Sequence, residues 1–531
     1  VSAALMLRVL GALLREDVVG LRSRGTLVER PDGPWISRGG LLLPVRPDGF
    51  QGDHTARLPL LVRDGAELTS FDAVLAALRD LAEPEDRAGF DAFAEECRQT
   101  AETVRLHDET RSDVLGALAA RYGDDPADWP TLALDTLAAR LDHPVYPTAR
   151  GRAGLTPAQL RLYAPEFHPR FTLRWVAVPR ETVTFSGTLP EVWPTLDTLG
   201  LPQLTDTHVP FPVHPLTVDA VRALDVVVSD VPYLDVVPTL SMRTVAVVGD
   251  PSLHLKLPLA TSTLGLRNKR SIKPGTLVDG VAGQRLVEAV LEREPRFRER
   301  VLHADETTYA HAGHELLAVL CRRLPSETAV PLAALLAEAP SGRPVVDHLA
   351  DRYFGGDRLA FFEALFTLLL DWQTTLFGYG VALESHQQNV SVVLAPGTMK
   401  LLFKDDDGPR VNTERLGYVP EFDDPRTFTT DDGPVADVFT TITLHLCAGA
   451  YAFGLGDPAL LDLVRDRLTE AVERLGGDAG AVLRKRVLEA TRLPVKAMVS
   501  AGTLLSKERS GAADVNKHYT DGPNYLLRAG S

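Results

Sequence analysis

Apolar residues recur at helical spacing from the first residues onward. In VSAALMLRVLGALLRED, positions Leu5, Val9, Leu10, Leu13 and Leu14 fall on one side and predict an amphipathic helix packed on the first domain. Short aliphatic runs of β character follow around 25–62 (GTLVER, GGLLLPV, ARLPLLV), and Ala, Leu, Glu and Arg then return at helical spacing over 72–120. The stretch DHPVYPTARGRAGLTP ends this pattern, because each proline removes a donor and restricts its neighbour. From about 171 to 260 the segments FTLRWVAVPRETVTF, DVVVSDVPYL, MRTVAVVGD and LHLKLPL read as strands. A helical pattern is expected from 283 to 380, a strand–turn–strand over 381–405, and helices again over 433–508. The expected fold class is α+β. Residues 1–130 are mostly helical, 131–330 β-rich, and 331–531 mostly helical with the hairpin at its opening.

Composition narrows the partners. The 531 residues are 45% hydrophobic, enough to bury large cores in two to four domains. A net charge of −15 without an evident basic face argues against nucleic acid. A local group of Arg and Lys can still hold a small anion, since screening confines distant charges to within a Debye length. Cys97, Cys321 and Cys447 are far apart and lack metal-type spacing, which argues against disulfides, zinc or an iron–sulfur cluster and fits a reducing cytoplasm. Arg8 interrupts the N-terminal apolar stretch, and ALFTLLL before Asp371 is too short to span a bilayer, so a soluble protein with no membrane partner is expected.

Two segments carry candidate chemistry. In LHLKLPLATSTLGLRNKRSIKPG, Lys256 projects from one face of a strand whose leucines occupy the other. Thr261, Ser262 and Thr263 add hydroxyls, Arg267, Lys269 and Arg270 add cations, and Ser241, Arg243 and Thr244 open a neighbouring strand. Taken alone, this segment reads equally as a solvated basic edge or as a phosphate site. In VALESHQQNVSVVLAPGTMKLLFKDDDG, an extended 381–388 would put Glu384, His386 and Gln388 on one face. A turn at Ala395–Thr398 then returns Asp405 beside Asn389. Two carboxylates and an amide oxygen suit Mg²⁺, and a strand lysine followed by Asn–hairpin–Asp has the order of a kinase ATP site. The bland alternative is a solvated hairpin mouth. On the metal-site reading Asp405→Asn removes most activity and leaves the fold intact. Two proline-stiffened loops, His143-Pro144-Val145-Tyr146-Pro147 with Arg150 and Arg152, and Pro210-Phe211-Pro212-Val213-His214-Pro215, present further imidazoles and cations.

Together these stretches resemble the IucA/IucC family of NRPS-independent siderophore (NIS) synthetases. DHPVYPTARGRAG corresponds to its GHPxHPxxKxRxG loop, and FPVHP, SMRT, HLKLPLATSTLGLRNKR, ESHQQN and LPVKAM to further family motifs in the same order, over roughly 140–500. The departures are Tyr146 for a histidine, Arg150 for a lysine and Lys404 for an arginine before Asp405. The resemblance implies a cupped hand with a helical thumb, β-rich fingers and a helical palm, holding ATP and Mg²⁺ and forming a homodimer. It implies that a carboxylic acid of the citrate class is adenylated and then condensed with an amine, hydroxylamine or alcohol, releasing pyrophosphate and AMP. On this carry-over His386, Arg267 and Lys256 are catalytic. ATP contacts fall to His143, Arg150, Arg152, Ser241, Arg243, Thr244, Lys256, Thr263, Arg270, His386, Asn389 and Asp405, and the metal falls to Glu384, Asn389 and Asp405. Thr263 with Arg267, or Arg270 with Ser271, could be the Thr/Arg pair beyond Lys256. The ferric-reductase label sometimes given to the C-terminal region of such proteins is discounted, because Cys447 stands alone. A kinase-like phosphotransferase lacking a GxGxxG loop, and a non-catalytic nucleotide- or ferric-siderophore-binding protein, are the alternatives.

Overall fold

The computed structural model describes residues 2–510 and 518–527. Helix α1 (Ser2–Arg15) forms where the apolar spacing places it, with Leu5, Val9, Leu10, Leu13 and Leu14 buried. A six-stranded antiparallel sheet between Thr26 and Leu68 follows, then a run of helices that includes α2 (Arg87–Glu109). These N-terminal elements do not close on a core of their own. Their apolar side chains share one continuous core with the C-terminal helices α3 (Arg358–Gly378) and Pro458–Leu475.

The middle of the chain builds a seven-stranded sheet. Its centre is β1 (Thr244–Val247), β2 (Asp250–Lys256), β3 (Asp305–His314) and β4 (Leu317–Arg323), with β2 paired antiparallel to both β1 and β4. Leu253, Leu255 and Leu257 pack against a three-stranded sheet carrying Val176, Val178 and Phe211, which leaves His254 and Lys256 on the opposite face. The stretch expected to be helical from 283 is helical only to Arg293. It then becomes the strands Val301–His303, β3, β4 and Ala329–Pro331. The reason is burial: six of the seven residues of β4 are buried, so LAVLC carries no polar position to mark a period of two.

The hairpin β5 (Val390–Ala395) and β6 (Thr398–Phe403) turns at Ala395–Thr398 and pairs Val390 with Phe403. It is not free-standing. Val301–His303 runs parallel to β6 and Ala329–Pro331 antiparallel to β5, giving four strands. The chain thus leaves the hairpin sheet at His303, passes through β3 and β4 of the large sheet, and returns at Ala329. A division at 330/331 falls inside that returning strand. Helix Pro274–Arg293 lies against the loop after β6, where a Cβ on Gly283 would stand 1.9 Å from the Asp406 carbonyl oxygen. Among the described residues, the run Asp432–Leu455 has the length and apolarity of a membrane span, and 83% of its apolar window is buried inside the fold.

Burial also sets a pH response. The imidazoles of His107, His214, His254 and His445 are held down by burial, to about 2, 3, 3 and 4 respectively. They are neutral when folded and take up protons when unfolded below the usual histidine value, so stability falls as pH drops from about 6.5 toward those lower values. At pH 5.5 the four together contribute about three to four protons taken up on unfolding. His214→Asn keeps an acceptor for the Leu216 N–H and is expected to remove about one proton from that slope, read from denaturant unfolding at a series of pH values.

Candidate functional site

A cleft of about 1850 Å³ lies where the seven-stranded sheet, the hairpin sheet and the N-terminal elements meet. At its apex Lys256 and Asp405, 149 residues apart in the chain, are in contact, Nζ to Oδ1 at 2.6 Å. Arg322 Nη2 donates to the same oxygen at 2.6 Å, and its Nε donates to Glu306 Oε1 at 2.5 Å. The backbone N–H of Asp405 also donates to Glu306. Burial alone would push the Asp405 carboxyl up, but Arg322 and Lys256 hold it well below the usual carboxylate range. Burial pushes Glu306 up, with Arg322 opposing.

The three consecutive aspartates have different tasks. Asp405 takes a left-handed backbone (φ 59°), which turns it back toward β2. Asp406 is buried away from the cleft and pairs with His303 Nδ1 at 3.3 Å. Asp407 lines the cleft and lies 3.6 Å from Lys256. The close seat of helix Pro274–Arg293 at Gly283 fixes this loop from behind.

The site residues carried over from the family resemblance all line this cleft: His143, Arg150, Arg152, Ser241, Arg243 and Thr244; Lys256, Thr263, Arg267 and Arg270; and Glu384, His386, Asn389 and Asp405. Thr261, Ser262 and His214 do not; Thr261 and Ser262 donate to the Ala153 and Leu266 carbonyls, and His214 is buried in the fold. The lining residues differ in their engagements. Arg243 Nη1 donates to the carbonyls of Arg270 and Ser271. Burial lowers Arg270 well below the usual arginine value, with Arg243 and Arg152 adding to the effect. Its Nε is buried without a partner. A cation in that state is short of an anion. Arg152 pairs with buried Glu166 at 3.1 Å, and Arg150 with Asp142 at 2.7 Å. Arg267 lines the cleft with its guanidinium engaged, donating to the carbonyls of Ala501 and Leu505 in the C-terminal segment.

The metal trio is also rearranged. Residues 383–389 fold as successive turns, with His386 N–H to the Glu384 carbonyl and Asn389 N–H to the His386 carbonyl. They are not extended, and the neighbours Gln387 and Gln388 both line the cleft, which alternation forbids. The extended 381–388 of the sequence reading is corrected to two strand residues, Val381–Ala382, followed by a loop. Glu384 pairs with Lys496 at 3.2 Å. Asn389 spends its Nδ2 on the Glu384 carbonyl and leaves Oδ1 open, while the two cations on Asp405 occupy Oδ1 alone. Among the described residues no three carboxylate, thiolate or imidazole groups converge. Asp405, Asp407 and Asn389 line the cleft with oxygen donors, so a hard cation bound there would need phosphate and water to complete its shell.

His386 Nδ1 accepts from the Gln388 N–H at 3.3 Å, so Nε2 is the protonated nitrogen. Burial lowers its pKa, with Glu384 opposing, and leaves a neutral N–H donor. His143 accepts from the Val145 and Tyr146 N–H groups in the same way. Sequence reasoning missed Arg322, Glu306, Arg8 and Arg15. Arg322 ends a run of six buried positions and Glu306 sits at a register irregularity of β3, so alternation signals neither of them.

A family model described as the IucA / IucC family matches residues 131–337, and one described as a ferric iron reductase FhuF-like transporter matches residues 359–508. The rhizobactin siderophore biosynthesis protein RhbC of Rhizobium meliloti is 25% identical, over 92% of this chain and 91% of that protein. Staphyloferrin B synthase of Staphylococcus aureus is 24% identical, over 66% of this chain and 68% of that protein. The structure of the petrobactin biosynthesis protein AsbB from Bacillus anthracis superposes with a TM-score of 0.76 at 16% identity, covering 98% of this chain and 95% of that one, a likeness of fold.

Proposed function

The chain belongs to the IucA/IucC family of siderophore synthetases, and from that premise we propose that it adenylates a carboxylic acid of the citrate class with ATP and passes the acyl group to an amine, hydroxylamine or alcohol. The observation that carries this reading is the apex of the cleft, where the cationic face of one sheet meets the acid end of a hairpin at Lys256 and Asp405. Lys256, Arg243 and Arg270 suit the triphosphate, and Arg270 has an unmet need for an anion. Asp405, Asp407 and Asn389 would hold Mg²⁺, which supplies charge neutralisation on the phosphates. Seated there, a triphosphate would compete with Asp405 for Lys256, which lines the cleft.

His386 offers an N–H toward charge developing on the acyl phosphate, a preorganised dipole at the cleft wall. Lys496, held by Glu384, adds a cation to the same wall. The cupped-hand description of thumb, fingers and palm closing on the nucleotide belongs to this proposal. The reductase description does not: iron–sulfur chemistry needs clustered thiolates, and all three cysteines are buried and unpaired.

Incubation with ATP, Mg²⁺, citrate and a panel of amines is expected to release AMP and pyrophosphate in equal amounts, dependent on the acid. ADP as the sole nucleotide product would overturn the reading in favour of a phosphotransferase.

A further inference from the structure

Two stretches of chain present cations to the cleft. The first carries His143, Arg150 and Arg152, the second Thr263, Arg267 and Arg270. They touch at their ends, where the Ala153 N–H donates to the Ser262 carbonyl at 3.3 Å and the Thr261 hydroxyl to the Ala153 carbonyl at 2.7 Å. A second connection runs through Glu96 on α2. Tyr146, which stands where the family motif has a histidine, does not line the cleft; its side chain is fully buried and its hydroxyl donates to Glu96 Oε1 at 2.9 Å. The Thr148 hydroxyl donates to the same oxygen at 2.5 Å. Glu96 Oε2 accepts from Thr503 at 3.0 Å, and Thr503 Oγ1 in turn accepts from the Leu266 N–H of the second stretch at 3.3 Å. A hydrogen-bonded path therefore leads from Tyr146 and Thr148 through Glu96 and Thr503 to Leu266. With the contacts at Ala153 it closes a ring behind the cleft wall.

The segment that carries Thr503 is gripped from two directions. From the N-terminal elements, Glu16 accepts from the Val499 and Ser500 N–H groups at 3.0 and 2.8 Å and from the Ser500 hydroxyl at 2.9 Å, and Asp86 accepts from the Ser506 N–H at 2.7 Å. From the second stretch, the Arg267 N–H donates to the Gly502 carbonyl at 3.2 Å, in addition to the guanidinium contacts described above. Gly265 has a φ of 109°, and a Cβ on it would stand 2.8 Å from the Gly502 Cα, so the two backbones are in direct contact. A shift of this segment carries the 264–267 backbone with it. Glu96, Tyr146, Thr148 and Thr503 are all outside the cleft lining, so the ring acts through the residues it carries.

We infer that Glu96 is a positioning residue: with Tyr146 and Thr503 it sets the separation of the two cationic stretches, so that Arg150 and Arg152 on one and Thr263 and Arg270 on the other meet the same polyphosphate. This rests on the synthetase reading above, which puts ATP in the cleft. Preorganisation of this kind spares the bound state the ordering of two loops. Its loss weakens ATP binding and leaves turnover at saturating ATP nearly unchanged, the pattern of an interaction made equally in ground and transition states.

Thr503→Val is close in shape to the parent and removes the hydroxyl that joins the two arms, whereas Thr503→Ser keeps it. Binding of ATP·Mg²⁺ to the full-length protein, read by calorimetry, is expected to weaken at least about fivefold in Thr503→Val, with KM for ATP rising in parallel and kcat within about twofold. Thr503→Ser should lie within about twofold of the parent. Tyr146→Phe cuts the other arm and gives a second variant should the first misfold. It should weaken binding likewise, and the double variant should lose less than the product of the two single losses, because both cut one path. A staple that only holds the chain ends together would lower the unfolding midpoint and leave the ATP dissociation constant of the folded protein unchanged. That result in both variants overturns the inference, as does a loss that serine fails to restore or losses that multiply in full. A parent protein that binds no ATP defeats the synthetase reading itself and the inference with it.

Discussion

Asp405→Asn loses activity and stability together. The substitution removes a formal charge from the acid end of the hairpin, and on the proposed mechanism AMP release falls on the order of 10²- to 10³-fold, the scale of losing one preorganised electrostatic partner. Stability falls as well, contrary to the expectation that a hairpin-mouth acid leaves the fold intact. Asp405 accepts from Lys256 and Arg322, and the Arg322 side chain is 2% exposed. Breaking one arm of a buried pair costs about 3 kcal/mol, toward the lower end because Arg322 keeps Glu306. Urea unfolding of the variant beside pyrophosphate release checks both halves. Unchanged turnover removes Asp405 from the site.

Arg322→Met is expected to be more damaging to the fold. It leaves the Glu306 carboxylate, itself 4% exposed, without its cation, and Asp405 with Lys256 alone. An uncompensated buried carboxylate costs about 4 kcal/mol, which in a chain of ordinary stability means low soluble yield and a much lower unfolding midpoint. Adding Glu306→Gln removes the stranded charge and should recover a large part of the loss, since an amide can still accept from the Asp405 N–H. A single variant within about 1 kcal/mol of the parent would show that the cluster is wetter than its burial implies.

The sequence carried those parts of the site that local spacing encodes. Lys256 alternates with leucines, and Asn389 and Asp405 bracket a hairpin whose turn residues are plain. Arg322 and Glu306 were hidden for a different reason. Both faces of β4 are covered, so its apolar run looks like a helix, and a residue on a misread element has no predicted direction. The 383–389 loop failed in the opposite sense: its alternating polar letters imitate a strand, while its backbone closes two turns. Arg8 and Arg15 are legible as a helical stripe, but nothing local says that α1 reaches a cleft built from residues more than 130 positions later. Shared core packing between the two chain ends decides that, and it is a property of the whole fold.

The crossing strands at Val301–His303 and Ala329–Pro331 have a consequence for how the molecule can be divided. A backbone break between the β-rich and the C-terminal regions would strip the hairpin of a neighbour on each side. It would leave one fragment with naked ladder groups and the other with strands that have nowhere to dock. The halves are interlaced like clasped fingers, so neither is an independent folding piece, and the two walls of the cleft are synthesised as separate stretches but stable only as one body.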